Sequence, residues 1–239
     1  MTPYLLTYVT GDARAKYSAN RARCIKSFLD NGFEGKVFAG SDVNRPEWPK
    51  IRYAFKAYAI REAISHGARF VIWADSPMVL LKPYSELEGW IRHYGVLLPK
   101  TGYGNIFWSV GQWANDATLE YFKISRQEAF EIPTCISGFM GFDVHSDLAK
   151  KVINEFFAAC NVAELMDGPR YTNEPVEVGR RAQLDCRSDQ CVMSILAHKY
   201  EIPLIERIFA DIDNGCGFEK KMELTEKSLV GWYLKGEPK

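Results

Sequence analysis

An aspartate that directly follows a wholly apolar segment is the residue whose position points most clearly to chemistry. The segment Phe70–Ala74 reads FVIWA, and Asp75, Ser76 and Pro77 come next. Ligands of open α/β sheets bind beyond the carboxyl ends of the strands, where a carboxylate suits a ribose hydroxyl or a divalent cation that carries phosphates. The same three residues also form a favourable turn, so a purely structural cap is the competing interpretation of Asp75.

Two further charged residues lie in helical patterns and have two interpretations each. Lys56 belongs to residues 53–64, YAFKAYAIREAI, where a lysine commonly extends its ammonium to water. Asp189 opens the pattern of residues 189–200, DQCVMSILAHKY, where an aspartate commonly caps the helix. Spacing alone leaves both a binding role and a structural role open for Lys56 and Asp189.

The elements that would position these residues alternate between strand and helix. Apolar and β-branched runs predict strands at 4–10, 36–39 and 70–74, and helical periodicity predicts helices at 19–29 and 53–64. The alternation β-α-β-α-β predicts an α/β fold with a mainly parallel, Rossmann-like sheet and helices on both faces.

The second half of the chain is less regular. Its predicted elements are a strand at 94–98, a strand or pair of strands at 134–144, and helices at 116–129, 147–160 and 189–200. Residues 167–185 are polar and aperiodic, which predicts a long loop, and long loops in compact domains are commonly functional. No shift in composition divides the chain, so we expect one domain over residues 1–239.

Composition excludes several classes of protein. The chain has 239 residues, of which 30 are basic and 30 acidic, and a formal charge of zero argues against a nucleic-acid binder. No apolar window is long enough for a transmembrane helix, and the start MTPYLLTYVTGD lacks the basic region of a signal peptide. We therefore expect a cytoplasmic protein, for which peripheral contact with a membrane stays open. No dinucleotide-binding, Walker or nucleophile-elbow motif occurs.

Four blocks of sequence stand out, in the order LLTYVTGDARAKYSANRARCIKSFLDNGF, FKAYAIREAISHGARFVIWADSPMVLLKP, CISGFMGFDV and RSDQCVMSIL. Together they resemble blocks of glycosyltransferases with the GT-A fold, and most closely of their glycogenin-like, retaining branch. The second block contains the position of the family's Asp-x-Asp motif. Here Asp75 matches the first aspartate and Pro77 replaces the second, so the motif is degenerate.

The resemblance implies a role for each matching residue. The implied donor-binding residues are Thr7 and Thr10 beside the base and ribose, Tyr17 stacked on the base, Lys56 and Ser76 near the phosphates or sugar, and Ser137 and Gly138 along the sugar pocket. The implied catalytic residues are Asp189 and Gln190 at the reacting sugar and Asp75 at the diphosphate. Residues 1–98 would form the nucleotide-binding half and residues 99–239 the acceptor-side half.

The departures from the family concern the metal. Pro77 removes one metal ligand, and the C-terminal sequence LVGWYLKGEPK lacks the family's histidine. Three possibilities follow: Asp75 alone holds Mn²⁺ or Mg²⁺ with phosphates and water, the enzyme is metal-independent, or catalysis has been lost. The resemblance implies transfer of a sugar from a nucleotide-diphosphate sugar to a glycan, lipid-linked or protein acceptor. The alternative is a catalytically silent protein that binds a nucleotide sugar or glycan or serves as a partner subunit.

Overall fold

Two β-sheets organise the chain. The computed structural model describes residues 2–9, 14–41, 45, 47–101, 108–167, 188–206, 208–211 and 226–232. The strands are β1 (Tyr4–Val9), β2 (Lys36–Ser41), β3 (Phe70–Ala74), β4 (Met78–Leu80), β5 (Val96–Pro99), β6 (Phe139–Asp143), β7 (Leu204–Ile205), β8 (Phe209–Asp211) and β9 (Val230–Trp232). The large sheet has the order β2-β1-β3-β6-β5-β7, and the small sheet has the order β4-β9-β8. Within the large sheet, β6 runs antiparallel to both neighbours, and the other pairs are parallel.

Helices cover both faces of the large sheet. They are α1 (Arg14–Asp30), α2 (Ala54–Ser65), α3 (Tyr84–Tyr94), α4 (Val110–Trp113), α5 (Asp116–Phe122), α6 (Arg126–Glu131), α7 (Asp147–Cys160), α8 (Ala163–Asp167) and α9 (Ser188–Lys199). Helices α1 and α3 pack on one face, and α2, α7 and α9 share the core of the other face. In the described part of the chain, no helix combines the length and the apolar character needed to cross a bilayer.

Each face of the sheet has its own apolar core because successive side chains of a strand point to opposite faces. In β1, Leu5 packs with α1 and α3, whereas Leu6 packs with α2, α7 and α9. In β3, Ile72 and Trp73 divide in the same way, and both are fully buried. The expected α/β fold, a mainly parallel sheet flanked by helices on both faces, is confirmed.

Several boundaries differ from the predicted ones for identifiable reasons. The predicted helix 116–129 is two helices, α5 and α6, because Lys123 adopts a left-handed conformation (φ 56°) and Ser125 caps the next helix. Only the last part of the predicted strand 134–144 is a strand, β6. The small sheet was not predicted at all, since its strands of three residues are too short to show a period.

Candidate active site

Three of the predicted site residues meet at one edge of the large sheet. Asp75 directly follows β3, Lys56 lies in the first turn of α2, and Asp189 lies in the first turn of α9. Strand β6 is antiparallel, and its first residue Phe139 pairs with Ala74, the last residue of β3. Ser137 and Gly138 therefore also lie at this edge, where the parallel strand β3 has its carboxyl end, the usual position for ligands in such sheets.

The ammonium of Lys56 is the centre of this site. Its Nζ donates to Oδ2 of Asp189 at 2.6 Å and to the carbonyl oxygen of Ser137 at 3.1 Å, and it lies 3.3 Å from Oδ1 of Asp75. We call Lys56, Asp75 and Asp189 the Lys56 cluster. Lys56 and Asp189 are 133 residues apart in sequence, so the fold alone brings them together.

Burial makes these charges depend on one another. The side chains of Lys56 and Asp189 are 3% and 6% exposed, whereas that of Asp75 is 28% exposed. Burial lowers the pKa of Lys56, but the charges of Asp189 and Asp75 outweigh burial, and the pKa lies above its ordinary value. The ammonium therefore stays protonated, and the cluster carries a formal charge of −1, with Asp75 as its most accessible member.

Two aromatic rings complete the surroundings of Lys56. Its Nζ lies 5.4 Å from the ring centroid of Trp73 and 5.6 Å from that of Tyr53, distances at which a ring face attracts a cation. The indole Nε1 of Trp73 also donates to Oδ1 of Asp75 at 2.8 Å. Trp73 is thus both a wall of the site and a support for the Asp75 carboxylate.

The structural interpretations left open by the sequence are now distinguishable. Lys56 does not extend to water, because its side chain is buried and its ammonium is paired with carboxylates. The carboxylate of Asp189 accepts from Lys56 rather than from helix amides in the described part of the structure. The turn interpretation of Asp75 holds for its backbone, since the amide of Met78 donates to the carbonyl oxygen of Asp75 at 2.8 Å. The side chain of Asp75 nevertheless belongs to the Lys56 cluster.

The remaining site residues predicted near this edge contribute mainly through their backbone or their position. The carbonyl oxygen of Gly138 accepts from the amide of Asp75 at 2.8 Å, which ties the start of β6 to the end of β3. Ser76 is buried in the turn that follows Asp75. Gln190 follows Asp189 in α9, and its carbonyl oxygen accepts from the hydroxyl of Ser194 at 2.6 Å.

The predicted nucleotide-side residues are not brought into the Lys56 cluster. Thr7 is fully buried in β1, and its hydroxyl has no hydrogen-bond partner among the residues that the structure describes. This hydroxyl lies near the thiol of Cys24 in α1, whose pKa burial raises to about 12. Thr10 lies outside the described residues. Tyr17 belongs to α1, but its side chain is not among the described ones. Their predicted contacts with the base and ribose stay predictions.

Trp73 and Tyr53 are the site residues that the sequence analysis missed. Trp73 precedes Asp75 by two residues in an extended segment, so both side chains point to the same side of the sheet. That spacing was a usable signal. Tyr53 carried no comparable signal, because it was read only as the first residue of a helical pattern.

A divalent cation is the cofactor that the resemblance implies, and the described residues fit it through one oxygen. Oδ1 of Asp75 is engaged by Trp73 and Lys56, whereas Oδ2 has no partner among the described residues. Within those residues, no three His, Cys, Asp or Glu side chains converge. Mg²⁺ and Mn²⁺ commonly bind one carboxylate together with phosphate oxygens and water. Asp75 therefore fits a cation whose other ligands come from a diphosphate.

Comparisons with known proteins bear on the fold. Neither a protein-family model nor a curated protein sequence matches this chain. Its structure is similar to that of mouse xyloside xylosyltransferase 1 in the apo form, with a TM-score of 0.53 over 97% of each chain and 11% identity. The chain has the GT-A fold.

Two further solved structures are less similar to this chain, with TM-scores below 0.5. A glycosyltransferase involved in the glycosylation of the major capsid of PBCV-1 gives a TM-score of 0.46 at 7% identity, over 98% of this chain and 94% of that one. The galactosyltransferase LgtC, in complex with donor and acceptor sugar analogs, gives 0.46 at 10% identity, over 97% of this chain and 87% of that one. The GT-A fold is a scaffold, and function has to be argued from the site that it carries.

Proposed function

We propose that this GT-A protein is a glycosyltransferase that moves a sugar from a nucleotide-diphosphate sugar to a carbohydrate or glycoconjugate acceptor. The observation that carries the proposal is the Lys56 cluster. It joins a partly exposed carboxylate, Asp75, and a buried, oriented carboxylate, Asp189, at the edge where β3 ends. Perturbed ionisable groups cluster at functional sites, and this lysine is buried between two aspartates at the edge where ligands of such sheets bind.

Sugar transfer breaks the bond between the anomeric carbon and the diphosphate oxygen and forms a bond to an acceptor oxygen. Positive charge grows at the anomeric carbon while negative charge grows on the leaving diphosphate. We assign the carboxylate of Asp189 to the sugar side, where fixed negative charge stabilises the developing cation. Lys56 is a positioning residue in this scheme, because its buried ammonium holds Asp189 by a 2.6 Å hydrogen bond.

The net negative charge of the Lys56 cluster favours a divalent cation as cofactor. A formal charge of −1 repels a donor diphosphate, which favours a cation that accompanies the donor. We propose that Mn²⁺ or Mg²⁺ is held by Oδ2 of Asp75, which no described residue engages, together with the diphosphate, and that it offsets the charge of the leaving group when bound. Pro77 supplies no second ligand, which predicts weak metal binding in the absence of a nucleotide.

A thermal-shift experiment tests this function. The melting temperature is measured with UDP, GDP, CDP and their common sugar conjugates, each with Mn²⁺ and with a chelator. A ligand at 100 times its Kd adds about 2.7 kcal/mol to the free energy of unfolding. In a chain of this size, that raises the melting temperature by about 5–10 °C. We expect one nucleoside diphosphate to do so with Mn²⁺ and to lose at least about tenfold in affinity in chelator.

Variants locate the binding site. In Asp75→Asn, the rise in melting temperature caused by the nucleotide should be the same in Mn²⁺ and in chelator. Asp143→Asn is the control, because Asp143 likewise lies beside a basic side chain, 3.7 Å from the guanidinium of Arg69, but pairs with Phe70 at the opposite end of β3. Absence of any shift across the whole panel would refute the proposed function. A shift that is the same in chelator would refute the role of the metal and leave basic side chains to bind the diphosphate.

A further inference from the structure

Tyr53, which directly precedes α2, has an unusual backbone conformation. Its φ and ψ are 60° and −7°, in the left-handed region, where a bulky side chain is an outlier. Lys123 and Glu201 are the other non-glycine residues with positive φ in the described part of the chain, and both follow the C-terminal ends of helices. Helices commonly end in this conformation, whereas Tyr53 lies where a helix begins. Tyr53 is the third residue of the turn Ile51–Ala54, which the amide of Ala54 closes by donating to the carbonyl oxygen of Ile51 at 3.2 Å. Positive φ at this position of a turn favours glycine or asparagine, so a tyrosine here needs a further reason.

Neighbouring interactions hold Tyr53 in this conformation. The amide of Arg52 donates to Oδ2 of Asp167, at the end of α8, at 3.0 Å. The carbonyl oxygen of Tyr53 accepts from the amide of Lys56 at 3.1 Å. The ring of Tyr53 is consequently fixed 5.6 Å from the Lys56 ammonium. Strained backbone that the surroundings hold in this way is typical of ligand sites.

The ring of Tyr53 packs against the core, with the guanidinium of Arg52 5.2 Å and the ammonium of Lys56 5.6 Å from its centroid. The side chain is half-buried, and within the described residues its hydroxyl makes no hydrogen bond, which leaves the hydroxyl able to bind a ligand. Burial and then the charge of Asp189 raise the pKa of Tyr53 above its ordinary value. The hydroxyl thus stays protonated and is able to donate a hydrogen bond beside Asp189.

We propose that Tyr53 contacts the sugar of a bound nucleotide-diphosphate sugar, with its ring against the sugar and its hydroxyl donating to a sugar hydroxyl. This assignment rests on the proposed function, since it places the sugar beside Asp189. It makes Tyr53 a residue that determines affinity for the sugar portion of the donor. Binding of the nucleoside diphosphate alone does not depend on it.

Substitutions that relieve the strain separate function from folding. Tyr53→Gly removes both the ring and the left-handed penalty, and Glu201→Gly removes the same penalty at an exposed site. The readout is the ratio of the Kd of the sugar nucleotide to the Kd of its nucleoside diphosphate, measured by calorimetry in Mn²⁺. We expect Tyr53→Gly to raise this ratio at least about tenfold, the effect of a lost hydrogen bond and ring contact, and Glu201→Gly to leave it unchanged.

Two further variants keep the test decisive. Tyr53→Asn tolerates the left-handed conformation and replaces the glycine variant if that one fails to fold. Tyr53→Phe retains the ring and should raise the ratio by less than Tyr53→Gly does. An unchanged ratio in Tyr53→Gly and Tyr53→Asn would overturn the assignment, whatever happens to their melting temperatures. If the wild-type protein binds no nucleotide of the panel, the proposed function fails first, and the assignment of Tyr53 fails with it.

Discussion

Replacing Lys56 by methionine removes the one positive charge of the Lys56 cluster while keeping a flexible, unbranched side chain. The variant leaves Asp189, whose side chain is only 6% exposed, without its counter-charge. It also leaves the carbonyl oxygen of Ser137 without the hydrogen bond from Nζ. Both losses occur in a site from which water is largely excluded, so solvent compensates for them poorly.

The expected loss of stability follows from this burial. Removal of one partner of a buried ion pair costs about 3–5 kcal/mol, because it strands the other charge. Asp75 adds little, since its side chain is 28% exposed and water screens it. We therefore expect the free energy of unfolding to fall by about 3 kcal/mol, which lowers the melting temperature by about 6–12 °C in a chain of this size.

The assay is urea denaturation at pH 7, followed by circular dichroism, on four proteins. They are the wild type, Lys56→Met, Asp189→Asn and the double variant. The double variant should be more stable than Lys56→Met alone, with a coupling energy of about 1–3 kcal/mol, because no buried charge is left unpaired. Lys26→Met is the control, since the Lys26–Asp30 pair has a similar distance of 2.6 Å but side chains that are 74% and 57% exposed.

The control should lose less than about 1 kcal/mol, as exposed pairs do. A loss below about 1 kcal/mol in Lys56→Met itself would show that the cluster is solvated and loosely held. Additive losses in the double variant would show that Lys56 and Asp189 do not interact. Either result would refute the inference that Lys56 positions Asp189.

Three further predictions concern the supports of the site and the core. Ser194→Ala should lower the free energy of unfolding by about 1–3 kcal/mol, because it strands the buried amide of Cys135, which donates to the serine hydroxyl at 2.9 Å; an unchanged urea midpoint would contradict this. Trp73→Phe should lower the free energy of unfolding by about 1–3 kcal/mol, because it removes the donor to Asp75 and leaves a gap beside a fully buried ring; a variant with the wild-type urea midpoint would refute this. Burial raises the pKa of Cys24 and of Cys135 to about 12, so the stabilisation from each neutral thiol is complete below pH 9 and is lost between pH 9 and 12. Stability should fall in that range by about 1.4 kcal/mol per pH unit and thiol, and Cys24→Ala should flatten the slope; equal slopes would refute the shift.

The sequence was informative wherever structure is local. Strand Phe70–Ala74 and helix Asp147–Cys160 were predicted with their observed bounds, because apolar runs and helical periods are encoded in neighbouring residues. The small sheet escaped prediction because its strands hold three residues each and β4 pairs with β9, which lies far along the sequence. Short segments of that kind show no period, and long-range pairing leaves no local trace.

In the candidate site, too, the types of the residues were predictable from the sequence, whereas their long-range contacts were not. Asp75, Lys56 and Asp189 could be picked out from their types, positions and family resemblance, but a hydrogen bond over 133 residues could not be derived from spacing. The burial of Lys56 was also beyond the sequence, since a lysine in an amphipathic helix ordinarily faces water. The left-handed backbone conformation of Tyr53 was not predictable either, because a glycine usually marks such a conformation and this position holds a tyrosine.

The most direct test of the central claim is release of nucleoside diphosphate from a panel of sugar nucleotides, with Mn²⁺ and a mixture of glycan acceptors. We expect the wild type to turn over one donor, and Asp189→Asn to be at least about 100-fold slower, as after loss of a principal electrostatic group. Asp143→Asn, at the opposite end of β3, should retain the wild-type rate. Tight binding without turnover by the wild type would make the chain a catalytically silent binding protein and contradict the claim. So would a wild-type rate in a folded Asp189→Asn variant.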